Sequence, residues 1–253
     1  MLHVSCTGEG PNLVLLHGLF GSLENLGVLS RLFSMHHTVY SFDLPNHGRS
    51  PHEDEIGLKA MADRVWSAIQ AQIQGPVCLI GHSLGGKIAM EIALRFQDIA
   101  GLVVMDIAPD AYPRRHDDIF AGLNHLPLKE GLQRRELDLM LQDYVKEPAV
   151  RSFLLKNLAR TGSHYSWKMH LADIERSYLD LVGANLKSEY LKPTMFVKGG
   201  ESEYITEFNR QSIVERFPNA ELKIVSGAGH WLHAEKPEQT SGVIERFLNK
   251  NKL

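Results

Sequence analysis

Short apolar runs alternate along this chain with stretches in which apolar residues recur every three or four positions. Residues 12–16 (NLVLL), 38–42 (TVYSF), 77–81 (VCLIG) and 101–105 (GLVVM) are apolar almost without interruption, which predicts strands buried on both faces. Between them, 57–73 carries Leu58, Met61, Ala62, Val65, Trp66, Ile69 and Ile73 at helical spacing. From Leu84 onward, Ile88, Ala89, Ile92, Ala93 and Phe96 repeat that spacing. After 193 the alternation resumes, with strands at 194–198 (TMFVK) and 221–225 (ELKIV) and a helix over 206–217. A last helix runs from Pro237, a favourable first-turn residue, to 250, with Val243, Ile244, Phe247 and Leu248 on one face. One or two further strands are expected near the N-terminus, around 1–6. Alternation of this kind predicts the α/β class, a mostly parallel sheet flanked by helices.

Residues 109–190 interrupt the pattern. They show no strand signal but carry helical stretches, such as 129–145 and 167–182, and the cluster Arg114, Arg115, His116. They read as a helical cap inserted between two strands of a core formed by 1–108 and 191–253.

Composition changes this picture little. The chain of 253 residues is long enough for one domain with a sizeable core and an inserted subdomain. A formal charge of -3 gives no electrostatic reason to expect nucleic acid or an anionic membrane as partner. Two cysteines, Cys6 and Cys78, are too few for a disulfide framework, and Cys78 lies inside an apolar run. The first residues show no secretory pattern and no apolar stretch approaches the length of a bilayer span, so the expectation is a cytoplasmic protein. Its oligomeric state stays open. No His, Cys, Asp and Glu set has metal-ligand spacing, and no phosphate-binding glycine loop is present, so neither metal nor cofactor is expected.

The chemistry centres on Gly81-His82-Ser83-Leu84-Gly85. An apolar strand runs into this G-x-S-x-G segment and a helical pattern leaves it, the context in which such a serine sits on a strained turn at a helix N-terminus. A serine hydroxyl needs a base to take its proton. Of 13 histidines, His230 in Gly227-Ala228-Gly229-His230 directly follows the last predicted strand, where two glycines permit a tight turn back over the serine. His82 fills the variable position of the turn and borders the pocket; His36, His37, His47 and His52 read as solvated or turn residues, and His233 as a loop residue before the last helix. A carboxylate must orient the base. Asp106, at the end of GLVVM, and Glu203, in the turn KGGESEY, both lie at strand ends.

His17-Gly18-Leu19-Phe20-Gly21 follows the strand at 12–16, a position that supplies a second oxyanion N–H beside that of Leu84. Leu19 is the expected donor, with Phe20 one residue away as the alternative and as a wall of the pocket. Arg114 and Arg115 are candidates to meet an anionic leaving group such as a CoA phosphate, against the simpler role of a solvated basic turn. Asp43-Leu44-Pro45-Asn46-His47-Gly48-Arg49-Ser50 reads as a hydrogen-bonded structural turn.

The segments LLHGLFGSLENLG, DLPNHGRS, GHSLGGK, VVMDIAP, RRHDDIFAGL and GAGHWLHAEKP together resemble the YbfF-type bacterial esterases of the α/β-hydrolase superfamily. The resemblance spans the whole chain. It implies the α/β-hydrolase fold with an inserted cap and cofactor-free hydrolysis of esters or acyl thioesters. It also implies Ser83 as nucleophile, His230 as base and Asp106 as acid, with Glu203 left as an alternative acid. An Asp nucleophile, as in dehalogenases and epoxide hydrolases, is not what this segment offers. A carbon–carbon bond hydrolase with the same triad, and a non-catalytic small-molecule receptor on the same fold, are the rival readings.

Overall fold

The computed structural model describes residues 1–54, 56–129 and 131–253. Seven strands form one sheet: β1 (Val4–Thr7), β2 (Asn12–Leu16), β3 (Thr38–Phe42), β4 (Val77–His82), β5 (Gly101–Met105), β8 (Thr194–Gly199) and β9 (Ala220–Val225). Their order is β1-β3-β2-β4-β5-β8-β9, and every pairing is parallel except β1 with β3. A two-stranded antiparallel hairpin, β6 (Leu158–Thr161) and β7 (His164–Trp167), stands apart from it.

The apolar runs are explained by what covers each face. Val14, Leu16, Leu79, Leu102, Val104 and Phe196 point to one side of the sheet. The alternate positions Leu13, Leu15, Cys78, Ile80, Val103, Met105, Met195 and Val197 point to the other. The second face is covered by α1 (Gly27–Phe33) and by the last helix, which supplies Ile244, Phe247 and Leu248. The first is covered by α2 (Leu58–Gln72) and α3 (Leu84–Phe96). Eleven consecutive residues of α3, Leu84 to Leu94, are buried, including Lys87 and Glu91.

The segment between β5 and β8 holds α4 (Asp117–His125), α5 (Arg134–Leu141), α6 (Pro148–Leu154), the hairpin, α7 (Leu171–Arg176) and α8 (Tyr178–Leu181). The hairpin departs from the sequence expectation of no strand there. Its residues LART and HYSW mix polar and apolar positions and are half exposed, so they lack the apolar run that marks a buried strand. The expected stretch 129–145 contains only α5 as α-helix, and its Glu130 lies outside the described residues. The stretch 167–182 is split at Ser177 into α7 and α8.

Where the insertion enters and leaves, the Lys87 ammonium donates to the carbonyls of Asp110 and Gly183, both at 2.6 Å. Glu91 accepts from Asn185 and from the Leu186 N–H. The buried polar residues of α3 therefore tie down both crossings.

The C-terminal part contains α9 (Arg210–Arg216), preceded by a 3-10 turn over Glu207–Asn209, then α10 (Leu232–Glu235) and α11 (Pro237–Asn251). Strand β9 is an edge whose Leu222 and Ile224 stay 51% and 57% exposed. No helix among the described residues is long and apolar enough to cross a membrane.

From β2 the chain goes to β3 on one side, and β4 returns to the other side of β2. Strand order reverses there, so the carboxyl ends of β2 and β4 splay apart and open a crevice. Ser83 and the 17–21 loop both lie at that crevice.

Candidate active site

Ser83 joins β4 to α3 with φ 53° and ψ −118°, a conformation that costs a non-glycine residue of order 1–3 kcal/mol and persists only when its surroundings enforce it. Enforcement is visible. The Ser83 N–H donates to Met105 O at 3.0 Å, and a Cβ on Gly81 would lie 2.2 Å from Gly85 O. A Cβ on Gly85 would lie 2.2 Å from Leu16 O, so neither glycine tolerates a side chain. Leu84 opens α3, where its N–H has no acceptor within the helix.

His230 follows β9 on the turn before α10. Its Nδ1 lies 2.7 Å from Asp106 Oδ2, which fixes the proton on Nδ1 and leaves the Nε2 lone pair free. Asp106 is fully buried at the end of β5, with φ 53°. Its Oδ1 accepts the Gly199 N–H at 3.0 Å, and the Ser202 hydroxyl donates to Oδ2. The carboxylate is thus held by groups from two further segments. Tyr204 stacks on the imidazole with ring centroids 3.9 Å apart. His82 donates from Nε2 to the His230 carbonyl. Ser83 and His230 line the same cavity, while among the described residues no hydrogen bond joins the Ser83 hydroxyl to the imidazole. Such bonds are often long before substrate binds.

Glu203 does not meet His230. It is exposed and faces a separate groove beside β9.

The 17–21 loop approaches Ser83 closely. A Cβ on Gly18 would lie 3.2 Å from Ser83 Cβ. The Gly21 N–H donates to Gly18 O at 3.0 Å, and the Phe20 N–H donates to His47 Nε2 at 3.3 Å. Phe20's N–H is therefore engaged by His47, whereas Leu19's has no acceptor among the described residues, and Leu19 lines the cavity with Ser83.

His17 accepts the Leu44 N–H at Nε2 and donates from Nδ1 to Gly18 O. Burial pulls His17 down to about 4 and His47 to about 3, so both rings are neutral near pH 7 and keep these tautomers. His47 sits in a turn, as expected, but is buried rather than solvated; the turn 43–50 folds its ring inward beneath the 17–21 loop. Asp43 accepts the Leu23 and Arg49 N–H groups, and its own carbonyl accepts from Ser50.

A cavity of about 410 Å³ opens over Ser83. Its walls include Leu19, Phe20, His82, Arg115, His116, Ile119, Tyr144, Phe153 and Trp231, so α4, α6 and the segment between α5 and α6 contribute together with the core. A smaller space of about 30 Å³ adjoins the serine between Leu84, Ile107, Leu181 and Val182. Arg115 borders both, with its guanidinium over the rings of Tyr112 and Tyr204. Arg114 borders neither. It pairs with Asp117 at 2.6 Å, one turn along at the start of α4, which corrects its expected place in the pocket. His233 is buried in α10 against His82 and borders the cavity, rather than lying in a loop.

Sequence reasoning missed Ser202 and Tyr204, because within KGGESEY only the carboxylates carry a catalytic signature and the two residues act through contacts with Asp106 and His230 far along the chain. It also missed Asn157, whose 3-10 turn after α6 carries no motif.

A mostly parallel sheet with a serine elbow at its switch point, and a histidine and aspartate at later strand ends, defines an α/β-hydrolase. A model of the alpha/beta hydrolase family matches residues 13–243. The chain belongs to that family, in the branch that contains esterase YbfF. It is 37% identical to esterase YbfF of Escherichia coli (strain K12), over 94% of this chain and 92% of that one. It is also 35% identical to the sn-1-specific diacylglycerol lipase ABHD11 of Mus musculus, over 94% of this chain and 81% of that one. A solved structure described as a marine microorganism esterase superposes with a TM-score of 0.95 at 35% identity, covering 98% of this chain and 99% of that one.

Proposed function

We propose that the protein is a serine hydrolase that cleaves carboxylic esters or acyl thioesters through an acyl-enzyme on Ser83. The observation that carries this reading is the 2.7 Å contact of His230 Nδ1 with Asp106, which leaves Nε2 as a base beside the serine that shares its cavity. The names of the relatives, an esterase and a lipase, support the same class.

His230 Nε2 takes the proton of the Ser83 hydroxyl as Oγ attacks the substrate carbonyl. The oxygen that becomes negative is met by the N–H groups of Leu84 and Leu19, each such donor being worth about 3 kcal/mol in the transition state. The imidazolium, steadied by Asp106, gives its proton to the leaving alcohol or thiol as the C–O or C–S bond breaks. Water then enters, loses a proton to His230, and releases the acid from Ser83. The insertion acts as a cap whose α4, α6 and the segment between α5 and α6 wall the pocket and keep bulk water from the acyl-enzyme.

The test is a panel of p-nitrophenyl esters and acyl-CoA thioesters assayed with the parent and Ser83→Ala. Turnover that disappears in Ser83→Ala is the expected result. Turnover of ester by both would contradict the reading, and a parent that binds the panel without turnover would favour a receptor.

A further inference from the structure

Phe20 is a non-glycine residue with φ 59°, at the third position of the turn closed by Gly21 N–H to Gly18 O. That turn position normally takes glycine, because an L side chain there is strained. Something must hold Phe20 in this conformation, and both of its main-chain polar groups are in fact held. Its N–H is bound by His47 Nε2 at 3.3 Å. Its carbonyl accepts from Asn157 Nδ2 at 2.6 Å.

Asn157 belongs to the inserted segment, 137 residues further along the chain, and its side chain is buried. The same Nδ2 reaches Leu154 O at 3.1 Å. Both acceptors are carbonyls, so only the amide NH₂ satisfies them and the orientation of the amide is fixed by chemistry. The Asn157 carbonyl in turn accepts the N–H of Lys168, on the far side of the β6–β7 hairpin. The Phe20 ring packs edge-on against Phe120 of α4, with centroids 5.1 Å apart. The insertion therefore grips this one residue of the core by its carbonyl and by its ring.

Phe20 directly follows Leu19. If Phe20 relaxed to negative φ, the turn would change type: the Leu19–Phe20 peptide would flip, taking the Phe20 N–H off His47, and the 18–21 turn that carries the Leu19 N–H past Ser83 would lose its anchors. We propose that Asn157 is a positioning residue for the oxyanion hole, holding the Phe20 carbonyl so that the Leu19 N–H stays aimed at the reacting carbonyl. The insertion thereby takes part in transition-state stabilisation and not only in covering the pocket. This rests on the roles of Ser83 and Leu19 proposed above.

The experiment compares the parent, Asn157→Ala, Phe20→Gly and the double variant on one p-nitrophenyl ester and against a trifluoromethyl ketone. That ketone adds to Ser83 Oγ and places an alkoxide where the oxyanion forms. Asn157→Ala should lower kcat about tenfold or more with KM within about threefold, a partial loss of one oxyanion donor. Affinity for the ketone should fall by the same factor as kcat/KM.

In the Phe20→Gly background, Asn157→Ala should cost less than about threefold, because glycine adopts positive φ without being held. If Asn157→Ala does not fold, Asn157→Leu, of nearly the same shape but without the NH₂ donor, carries the same expectations. An unchanged kcat with a lowered melting temperature, or an equal loss in both Phe20 backgrounds, would overturn the proposal. Stoichiometric fluorophosphonate labelling of Ser83 in the parent separates this outcome from failure of the underlying reading. A parent that does not label overturns both.

Discussion

His82 donates its Nε2–H to the main-chain carbonyl of His230 across 2.8 Å, so the residue before the nucleophile holds the backbone of the base. Burial, reinforced by the neighbouring His233 and His230, keeps the His82 ring well below the usual imidazole range, so it stays the neutral donor at all working pH values. His82→Leu should lower kcat about tenfold with little change in KM, since the interaction aligns His230 rather than binding substrate. His82→Gln, which offers an amide N–H, should recover most of that loss. Equal kcat for the parent and His82→Leu would contradict this role.

Asp106 and Glu203 separate cleanly in their surroundings, one buried on His230 and the other exposed on a groove beside β9. Asp106→Asn should reduce kcat by about 10⁴, the size of effect seen when a triad aspartate becomes an amide and favours the wrong tautomer. Glu203→Gln should stay within about twofold, as for a surface substitution outside the site. Steady-state kinetics of the two variants on one ester decide the matter, and a severe loss in Glu203→Gln would reverse it.

Much of this was legible beforehand because each main element carries its own physical signature. β2, β4 and β5 are buried on both faces and read as unbroken apolar runs, and the elbow needs glycines at 81 and 85 because main-chain atoms lie about a bond length and a half from where their side chains would start. The hairpin β6–β7 was not legible, since a half-exposed two-stranded ribbon needs no apolar run. His47 and Asn157 were hidden for a different reason. A buried histidine or asparagine is recognised by the partner it meets, and these partners lie 27 and 137 residues away.

Arg115 borders the cavity and has aromatic rings but no acidic partner among the described ion pairs, whereas Arg114 is paired with Asp117. If Arg115 meets an anionic leaving group, Arg115→Ala should raise KM for an acyl-CoA about tenfold, with a neutral ester changed less than about twofold. Arg114→Ala should leave both within about twofold. KM values for the two substrates, measured at low and moderate salt, test this; equal effects of Arg115→Ala on both substrates would remove charge recognition from the account.

Burial lowers His17 and His116 to about 4 and His47 and His233 to about 3. Each folded-state value lies below the unfolded one near 6.5, so the unfolded chain binds more protons between them. Stability is therefore fully present above about pH 6.5 and falls as the pH drops toward 4, at up to about 1.4 kcal/mol per pH unit for each such histidine. The melting temperature should decline from pH 7 to pH 5. His233→Leu should make that decline shallower, because it removes one buried protonatable ring, whose Nδ1 has no hydrogen-bond partner among the described residues. Melting curves across this range check the sign, and a melting temperature that rises on acidification would contradict it.

In the proposed reaction Ser83 carries the acyl group. This is tested most directly by rapid acid quench of the parent during turnover of a p-nitrophenyl ester, followed by peptide mass spectrometry. Quenching within the first turnover catches the intermediate before water removes the acyl group. The mass of the acyl group is expected on the peptide containing Gly81-His82-Ser83-Leu84-Gly85, and none on that peptide in Ser83→Ala. Acylation at another residue, with Ser83→Ala still turning over the ester, would contradict it.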